Sequence, residues 1–221
     1  MKRTIISLLM TCGLVLLNYG QEIAITPKGD TVVLYSTGKW DYYENFIKGE
    51  EDKPVIPFND SHFSKPLTAS KFVSGSNHDY EIWYDPQIWK RIPPGELNAD
   101  ADNAFQMIGG DAYAMLIIEK IHIPMDVLSE IAQENALKAA PDIVMKEREY
   151  RIVNNDTMVL MRMEGTSNSM RITYYSYYYS NENCSIQFHT FTGMNIFNEY
   201  REALEELLNG LVIPKKEEEE K

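Results

Sequence analysis

The last quarter of the chain, residues 157–213, constrains the fold most strongly, because it holds three strand-like segments followed by an amphipathic helix. Residues 157–164, 169–179 and 184–192 are rich in β-branched and aromatic side chains, which favour strands. Short polar turns separate these segments, and such turns join antiparallel neighbours. The pattern therefore predicts an antiparallel meander that is closed by a helix.

The middle strand of this meander has apolar side chains on both faces, since successive residues of a strand point to opposite sides. One face holds Met170, Ile172, Tyr174 and Tyr178, and the other holds Arg171, Thr173, Tyr175, Tyr177 and Tyr179. A strand that is apolar on both faces indicates a sheet that is covered on both sides.

The closing helix shows a single apolar stripe with the helical period of 3.6 residues. Asn195 is placed to cap its beginning, and Gly210 followed by Pro214 is typical of a helix end. The stripe consists of Phe197, Tyr200, Arg201, Leu204, Leu207, Leu208 and Leu211.

The start of the chain predicts a secretory signal peptide over residues 1–20. Lys2 and Arg3 form a basic region, and an apolar run of thirteen residues, 5–17, follows. This run is too short to span a bilayer comfortably, so we expect no membrane span after cleavage. A retained anchor and a lipoprotein signal at Cys12 are the alternatives.

The chain is acidic, with a formal net charge of −12. An acidic protein without a basic stripe is a poor partner for nucleic acid or for anionic membranes. After cleavage Cys184 is the one remaining cysteine, which excludes an intramolecular disulfide. A secreted chain without a disulfide indicates a periplasmic or secreted bacterial protein.

The rest of the chain divides by composition. Residues 21–43 predict a small β-meander, 44–70 a polar linker, 71–214 the main domain and 215–221 a charged, disordered tail. The alternative for residues 44–70 is a long ordered loop held by Phe58, Phe63 and Leu67.

The main domain begins with a predicted hairpin of Phe72–Val73 and Tyr80–Tyr84. One helix is predicted over 124–139, and the remaining predicted strands are 89–91, 104–108, 111–118 and 146–153. This order predicts an α+β fold, an antiparallel sheet with a helix on each face, preceded by the meander.

Residues 82–89, Ile-Trp-Tyr-Asp-Pro-Gln-Ile-Trp, resemble the tyrosine–proline–x–x–tryptophan turn of the PsbP-like proteins. That family includes the Mog-type Ran-binding proteins and the DcrB-type envelope proteins. The resemblance covers about residues 72–213 and implies an α/β/α sandwich that serves in binding or assembly. Residues 29–42 are also similar to a segment near the start of many secreted Bacteroidetes-type proteins.

Side chains that could carry chemistry are scattered. His62, His78, His122 and His189 show no metal-ligand spacing, so we expect no metal and no cofactor. The densest acidic group is either a solvated loop or a weak calcium site, and it consists of Glu96, Asp100, Asp102 and Asp111.

The tyrosine run is the most distinctive constellation of the sequence, because tyrosine supplies rigid area for recognition. Tyr175, Tyr177 and Tyr179 could continue the face of His189 and Phe191 and form an interaction surface. Alternatively, a helix covers these tyrosines and they belong to the core.

Three functions are compatible with these patterns. The sequence favours a non-enzymatic binding or assembly module that takes an envelope protein or a small ligand. The others are an envelope hydrolase with a nonstandard site, which convergent acidic and histidine side chains in a deep pocket would favour, and an accessory subunit of an envelope complex. The sequence does not name a ligand or fix the oligomeric state.

Overall fold

The computed structural model describes residues 22–34, 40–43 and 55–215, and it has a mixed α/β fold with one large sheet and two helices. The predicted signal peptide and most of the predicted tail lie outside these residues. The helices are α1 (Met125–Ala139) and α2 (Phe197–Asn209), and Pro94–Glu96 form a short 3₁₀ helix. No helix in the described part of the chain is long and apolar enough to cross a membrane.

Fourteen strands are described in these residues. They are β1 (Glu22–Ile25), β2 (Thr31–Leu34), β3 (Trp40–Tyr42), β4 (Phe58–Phe63), β5 (Lys71–Ser74), β6 (Glu81–Tyr84), β7 (Trp89–Ile92), β8 (Asn103–Met107), β9 (Ala112–Glu119), β10 (Val144–Val153), β11 (Asp156–Ser167), β12 (Met170–Asn181), β13 (Cys184–Gly193) and β14 (Leu211–Val212).

The large sheet has eight strands in the order β4-β10-β11-β12-β13-β9-β8-β7. The predicted meander forms its centre, where β11, β12 and β13 pair antiparallel in sequence order. The turn between β11 and β12 is shorter than predicted. Asn168 and Ser169 occupy it with φ of 49° and 65°, whereas Gly165 continues β11. Gly165 suits this position because a Cβ there would lie 2.9 Å from the Cα of Ile143.

Part of the segment that the sequence predicts as a linker is instead an edge strand. Strand β4 pairs parallel to β10, and the amide of Tyr150 donates to the carbonyl of Pro57 at 2.8 Å. The Phe58 ring stacks on Tyr150 with 6.5 Å between centroids, and the Arg151 guanidinium lies 4.3 Å from the Phe63 ring. These contacts place residues 58–63 within the main sheet; residues 44–54 lie outside the described part.

The N-terminal strands β1, β2 and β3 form a separate antiparallel sheet within residues 22–42. Val32 and Val33 are buried in it. Ile23 and Tyr43 pack against the core beneath α1. Burial, and then the carboxylates of Asp126 and Glu130 on α1, raise the pKa of the Tyr43 phenol.

Two apolar clusters take alternate residues from the strands of the large sheet. The α1 cluster combines α1 with Val159, Met161, Met163 and Tyr178. The α2 cluster combines α2 with Leu160, Tyr175, Tyr177 and Phe188. Both sides of the central strands therefore carry packed apolar side chains, as the alternation predicts.

Helix α2 begins differently from the prediction, but it ends at Asn209 with Gly210 as its C-cap, in agreement with the predicted stop at Gly210. Its N-cap residue is Ile196, and no side chain caps this end, so Asn195 does not have the predicted role. Leu211 leaves the helix and enters β14, which pairs with β6 in a small third sheet of order β14-β6-β5. Asn154 joins this sheet to the large one, since its amide donates to the carbonyls of Asn209 and Leu211, each at 2.8 Å.

Candidate functional site

A cavity lies between α1 and strands β9, β11, β12 and β13, with a volume of about 520 Å³. Its lining is mostly apolar, with a few polar groups. The helix, its C-terminal continuation and the loop before β8 contribute Ala132, Asn135, Ala136, Ala139, Ala140, Ile143, Leu97, Asn98 and Asp100. The sheet contributes Met115, Ile117, Ile118, Glu119, Met163, Ser167, Tyr174, Tyr178, Gln187, His189 and Phe191.

The composition of α1 explains why a cavity forms here. The first turns of the helix bury Val127 and Leu128, whose side chains reach the sheet. The later turns present Ala132, Ala136 and Ala139, which are spaced by four and three residues and lie on one side of the helix. An alanine side chain is too short to fill the distance that Leu128 spans. Space therefore remains between the second half of α1 and the sheet.

His189 lies on the sheet side of the cavity. Its Nδ1 is 3.0 Å from the Ser176 hydroxyl, and its ring meets Tyr178 edge-on with 5.8 Å between centroids. His189 is half-buried and lines the cavity, and protein atoms enclose most of the residue. This burial lowers the pKa of His189 to about 4, so the imidazole is neutral at pH 7.

One side of the cavity carries carboxylates. Glu119 ends β9, and Asp100 lies in the loop before β8, where its amide donates to the Asn98 side chain at 2.8 Å. Burial, and then the charge of Asp100, raise the pKa of Glu119. In the described part of the chain neither carboxylate forms an ion pair, and the neighbouring Lys120 contacts Asp79 instead.

The five residues of the predicted interaction surface do not share one face. Across the β12–β13 pair Tyr175 is opposite Thr190, whereas His189 is opposite Ser176. Residues directly opposite each other point to the same side of a sheet. Tyr175, Tyr177 and Tyr179 therefore belong to the α2 cluster, and His189 and Phe191 lie on the cavity side.

The three tyrosines are buried beneath α2 instead of exposed. Burial raises the pKa of the Tyr175 phenol to about 12 and raises the pKa of Tyr177 as well. The Tyr177 hydroxyl donates to the Asn209 side chain at 2.7 Å and lies 3.4 Å from the guanidinium of Arg151. Arg151 also binds Glu149 at 2.6 Å and contacts Glu205. These contacts hold α2 on the sheet.

The four acidic residues for which a weak calcium site was the alternative to a solvated loop, Glu96, Asp100, Asp102 and Asp111, are not grouped as metal ligands. Asp102 accepts a hydrogen bond from Tyr80, while Asp100 lines the cavity. Within the described residues no three His, Cys, Asp or Glu side chains are grouped to hold a metal ion. Among the other candidates, His122 Nδ1 lies 2.9 Å from the carbonyl of Asn181, and Cys184 is buried.

Sequence reasoning missed two features of this site. The first is the cavity, whose sequence signal is the series of alanines at helical spacing in α1. The second is the hydrogen bond between Ser176 and His189, which depends on the register of β12 against β13.

Comparison with known proteins rests on structure. No family model matches the sequence, and no curated protein matches it either. The chain is similar to cyanobacterial PsbP (CyanoP) from Synechocystis sp., with a TM-score of 0.51 and 12% identity over 67% of this chain and 95% of that one.

Two further solved structures are similar at lower scores. LpqN, involved in cell envelope biogenesis of Mycobacterium tuberculosis, has a TM-score of 0.48 and 12% identity over 66% of this chain and 90% of its own. The Ran-binding protein Mog1p of Saccharomyces cerevisiae has a TM-score of 0.44 and 7% identity over 65% of this chain and 94% of its own. The likeness to CyanoP concerns the fold alone at this level of identity, and the chain therefore has the fold of the PsbP-like proteins.

Proposed function

We propose that this protein is a non-enzymatic binding module that holds a small, largely apolar ligand in the cavity beneath α1. The observation that carries the proposal is the cavity itself. Its volume of about 520 Å³ falls within the usual range of small-molecule sites. Its walls combine apolar and aromatic side chains with a few polar groups, which is the usual composition of such sites.

The proposal places the protein in the periplasm or outside the cell. The support is the basic and apolar start of residues 1–20, which is typical of a secretory signal.

We also infer that α1 and α2 cover opposite faces of the large sheet, as in an α/β/α sandwich. The support is the alternation of the two clusters along the strands, with Val159 in the α1 cluster and Leu160 in the α2 cluster. This arrangement gives the cavity one helical wall and one wall that is a hydrogen-bonded sheet.

A hydrolase is the main competing function, because a serine hydrogen-bonded to a histidine is the core of many acyl-transfer sites. Two observations oppose it. Ser176 is 0% exposed and does not line the cavity, so its hydroxyl cannot reach a substrate. A histidine with a pKa of about 4 is also a weak general base at neutral pH.

A protein partner at the N-terminal sheet is the second candidate. Trp40 and Tyr42 are exposed there, at 55% and 44%, and their rings meet edge-on at 5.3 Å. Exposed aromatic side chains of this kind are frequent at protein interfaces. Co-purification of a stoichiometric partner with the wild type, and its loss with Trp40→Ser, would support this function.

The cavity function is tested by filling the cavity from either wall. Nile red, a neutral apolar dye, is titrated into the wild type, Ala136→Phe and Gln187→Phe. Ala136 lies on the helix side and Gln187 on the sheet side, so the two variants are independent. We expect saturable binding to the wild type and at least a tenfold loss of affinity in both variants. Leu137→Phe is the matched control, because Leu137 neighbours Ala136 but is exposed on α1.

Equal dye affinity in all four proteins would overturn the cavity function, provided that thermal melts show each variant folded. An esterase activity that Ser176→Ala abolishes would overturn the assignment as a non-enzyme.

A further inference from the structure

The charged side chains that line the cavity are all negative. The lining contains two carboxylates, Asp100 and Glu119, and no lysine or arginine. His189 adds no positive charge at neutral pH, because burial lowers its pKa to about 4. A ligand that enters this space therefore meets negative charge without a basic side chain beside it.

The two carboxylates lack a protein cation to balance them. In the described residues no ion pair forms at either group, and Lys120, the residue after Glu119, is engaged with Asp79. Burial and the nearby charge of Asp100 both disfavour the ionised form of Glu119. Both residues are exposed where they line the cavity, and a cation beside them would reduce the repulsion between the two carboxylates.

Aromatic rings line the same cavity on the sheet side. Tyr174 and Phe191 lie with their centroids 5.9 Å apart, and the Phe191 ring also stacks on Tyr113 at 5.7 Å. The face of an aromatic ring attracts a cation, and it also packs well against a hydrocarbon chain. Apolar side chains such as Met115, Ile117 and Met163 complete this wall.

We propose that the ligand is an organic cation, an ammonium group joined to an apolar body. The ammonium group lies by Asp100 and Glu119, and the apolar body lies along Met163, Phe191 and Ala136. This inference rests on the cavity being a binding site, the function proposed above. An inorganic cation fits less well, because in the part of the chain that the structure describes no three acidic, histidine or cysteine side chains are grouped as ligands.

The test compares three ligands that share one hydrocarbon chain: octyltrimethylammonium, octanol and octyl sulfate. Each competes with bound Nile red, below its micelle concentration. We expect the cation to bind about tenfold more tightly than octanol, the effect of one charge contact at a protein–water boundary. Octyl sulfate should bind more weakly than octanol, because the lining repels it.

Neutralising the carboxylates should remove the preference. In Asp100→Asn/Glu119→Gln we expect the cation and octanol to bind within about twofold of each other, because the variant lacks both negative charges that favour the cation. Glu119→Gln alone should remove part of the preference, and it serves if the double variant does not fold. Glu182→Gln is the matched control, since Glu182 is an exposed turn residue away from the cavity lining.

The outcomes separate this inference from the function on which it rests. Equal binding of the cation and octanol to the wild type, with loss of both in Ala136→Phe, would overturn the cationic ligand and leave the cavity function standing. A cation preference that survives in Asp100→Asn/Glu119→Gln would also overturn it, because other groups would then supply the charge. Binding of no probe at all would overturn both.

Discussion

Replacement of His189 by glutamine tests the physical description of the cavity wall. The imidazole is enclosed, and burial lowers its pKa to about 4, whereas an unfolded chain has the ordinary value near 6.5. Between these two values the unfolded state binds a proton that the folded state does not. Stability therefore decreases as the pH falls from about 6.5 towards about 4, and this contribution is fully present above pH 6.5.

The magnitude follows from the two pKa values. Between pH 7 and pH 5 the unequal protonation of His189 should lower the free energy of unfolding by about 2 kcal/mol. His189→Gln cannot be protonated and should lack this contribution. Other groups also contribute to the pH dependence, including Glu119, whose pKa is raised by burial and then by Asp100. The informative quantity is therefore the difference between the wild type and the variant at each pH.

Urea denaturation at pH 7 and pH 5, followed by tryptophan fluorescence and by circular dichroism, measures this difference. Trp89 is buried in the α2 cluster and should report the loss of tertiary structure. We expect the stability advantage of the wild type over His189→Gln to shrink by about 2 kcal/mol at the lower pH. A change below about 0.5 kcal/mol would refute the reasoning, because it would mean that water in the cavity hydrates the imidazolium as well as bulk solvent does.

Three further predictions concern the framework around the site. Arg151→Met should destabilise the protein by about 3–5 kcal/mol, because it leaves the partners of a buried guanidinium unpaired, and adding Glu205→Gln should recover part of this in a double-mutant cycle. Asn154→Ala should cost about 1 kcal/mol more than Asn154→Gly in urea titrations, since both lose the side-chain hydrogen bonds but only glycine tolerates the φ of 51°. Gly165→Ala should cost about 1–3 kcal/mol, measured by thermal melts, because its Cβ would meet the backbone of Ile143.

The periodicity of apolar residues along the sequence is sufficient to predict the central strands and helix α2. The alternation along residues 170–179 and the stripe in 197–208 depend on side chains close in sequence, so the central strands and α2 are visible from the chain itself. Leu211 shows where this fails. It continues the helical stripe, yet the chain has already turned into β14, where pairing with Ile82 decides the outcome.

Strand β4 was not predicted because its sequence, Phe-Asn-Asp-Ser-His-Phe, is polar between its two aromatic ends. An edge strand needs little apolar character, since one of its sides faces solvent. Only its distant partner β10 identifies it as a strand.

The site was less accessible to sequence reasoning for two reasons. The placement of Tyr175 and His189 on different faces follows from the strand register, and a shift of one residue would reverse it. The cavity is a property of two surfaces together, because Ala132 and Ala136 leave space only where a sheet lies at the distance set by the larger side chains of α1. Neither the strand register nor the cavity can be derived from a single segment of the chain.

The parallel edge strand also has a consequence for the order of folding. Asn59 of β4 and Glu149 of β10, which are hydrogen-bonded at 3.1 Å, are separated by 90 residues of sequence. Residues 58–63 therefore emerge first during synthesis and must wait until β10 has formed on the antiparallel meander, whose contacts are local and close quickly. The polar residues of β4 keep this waiting segment compatible with water. Its late arrival then closes an edge of β10 that would otherwise be open to pairing with other chains.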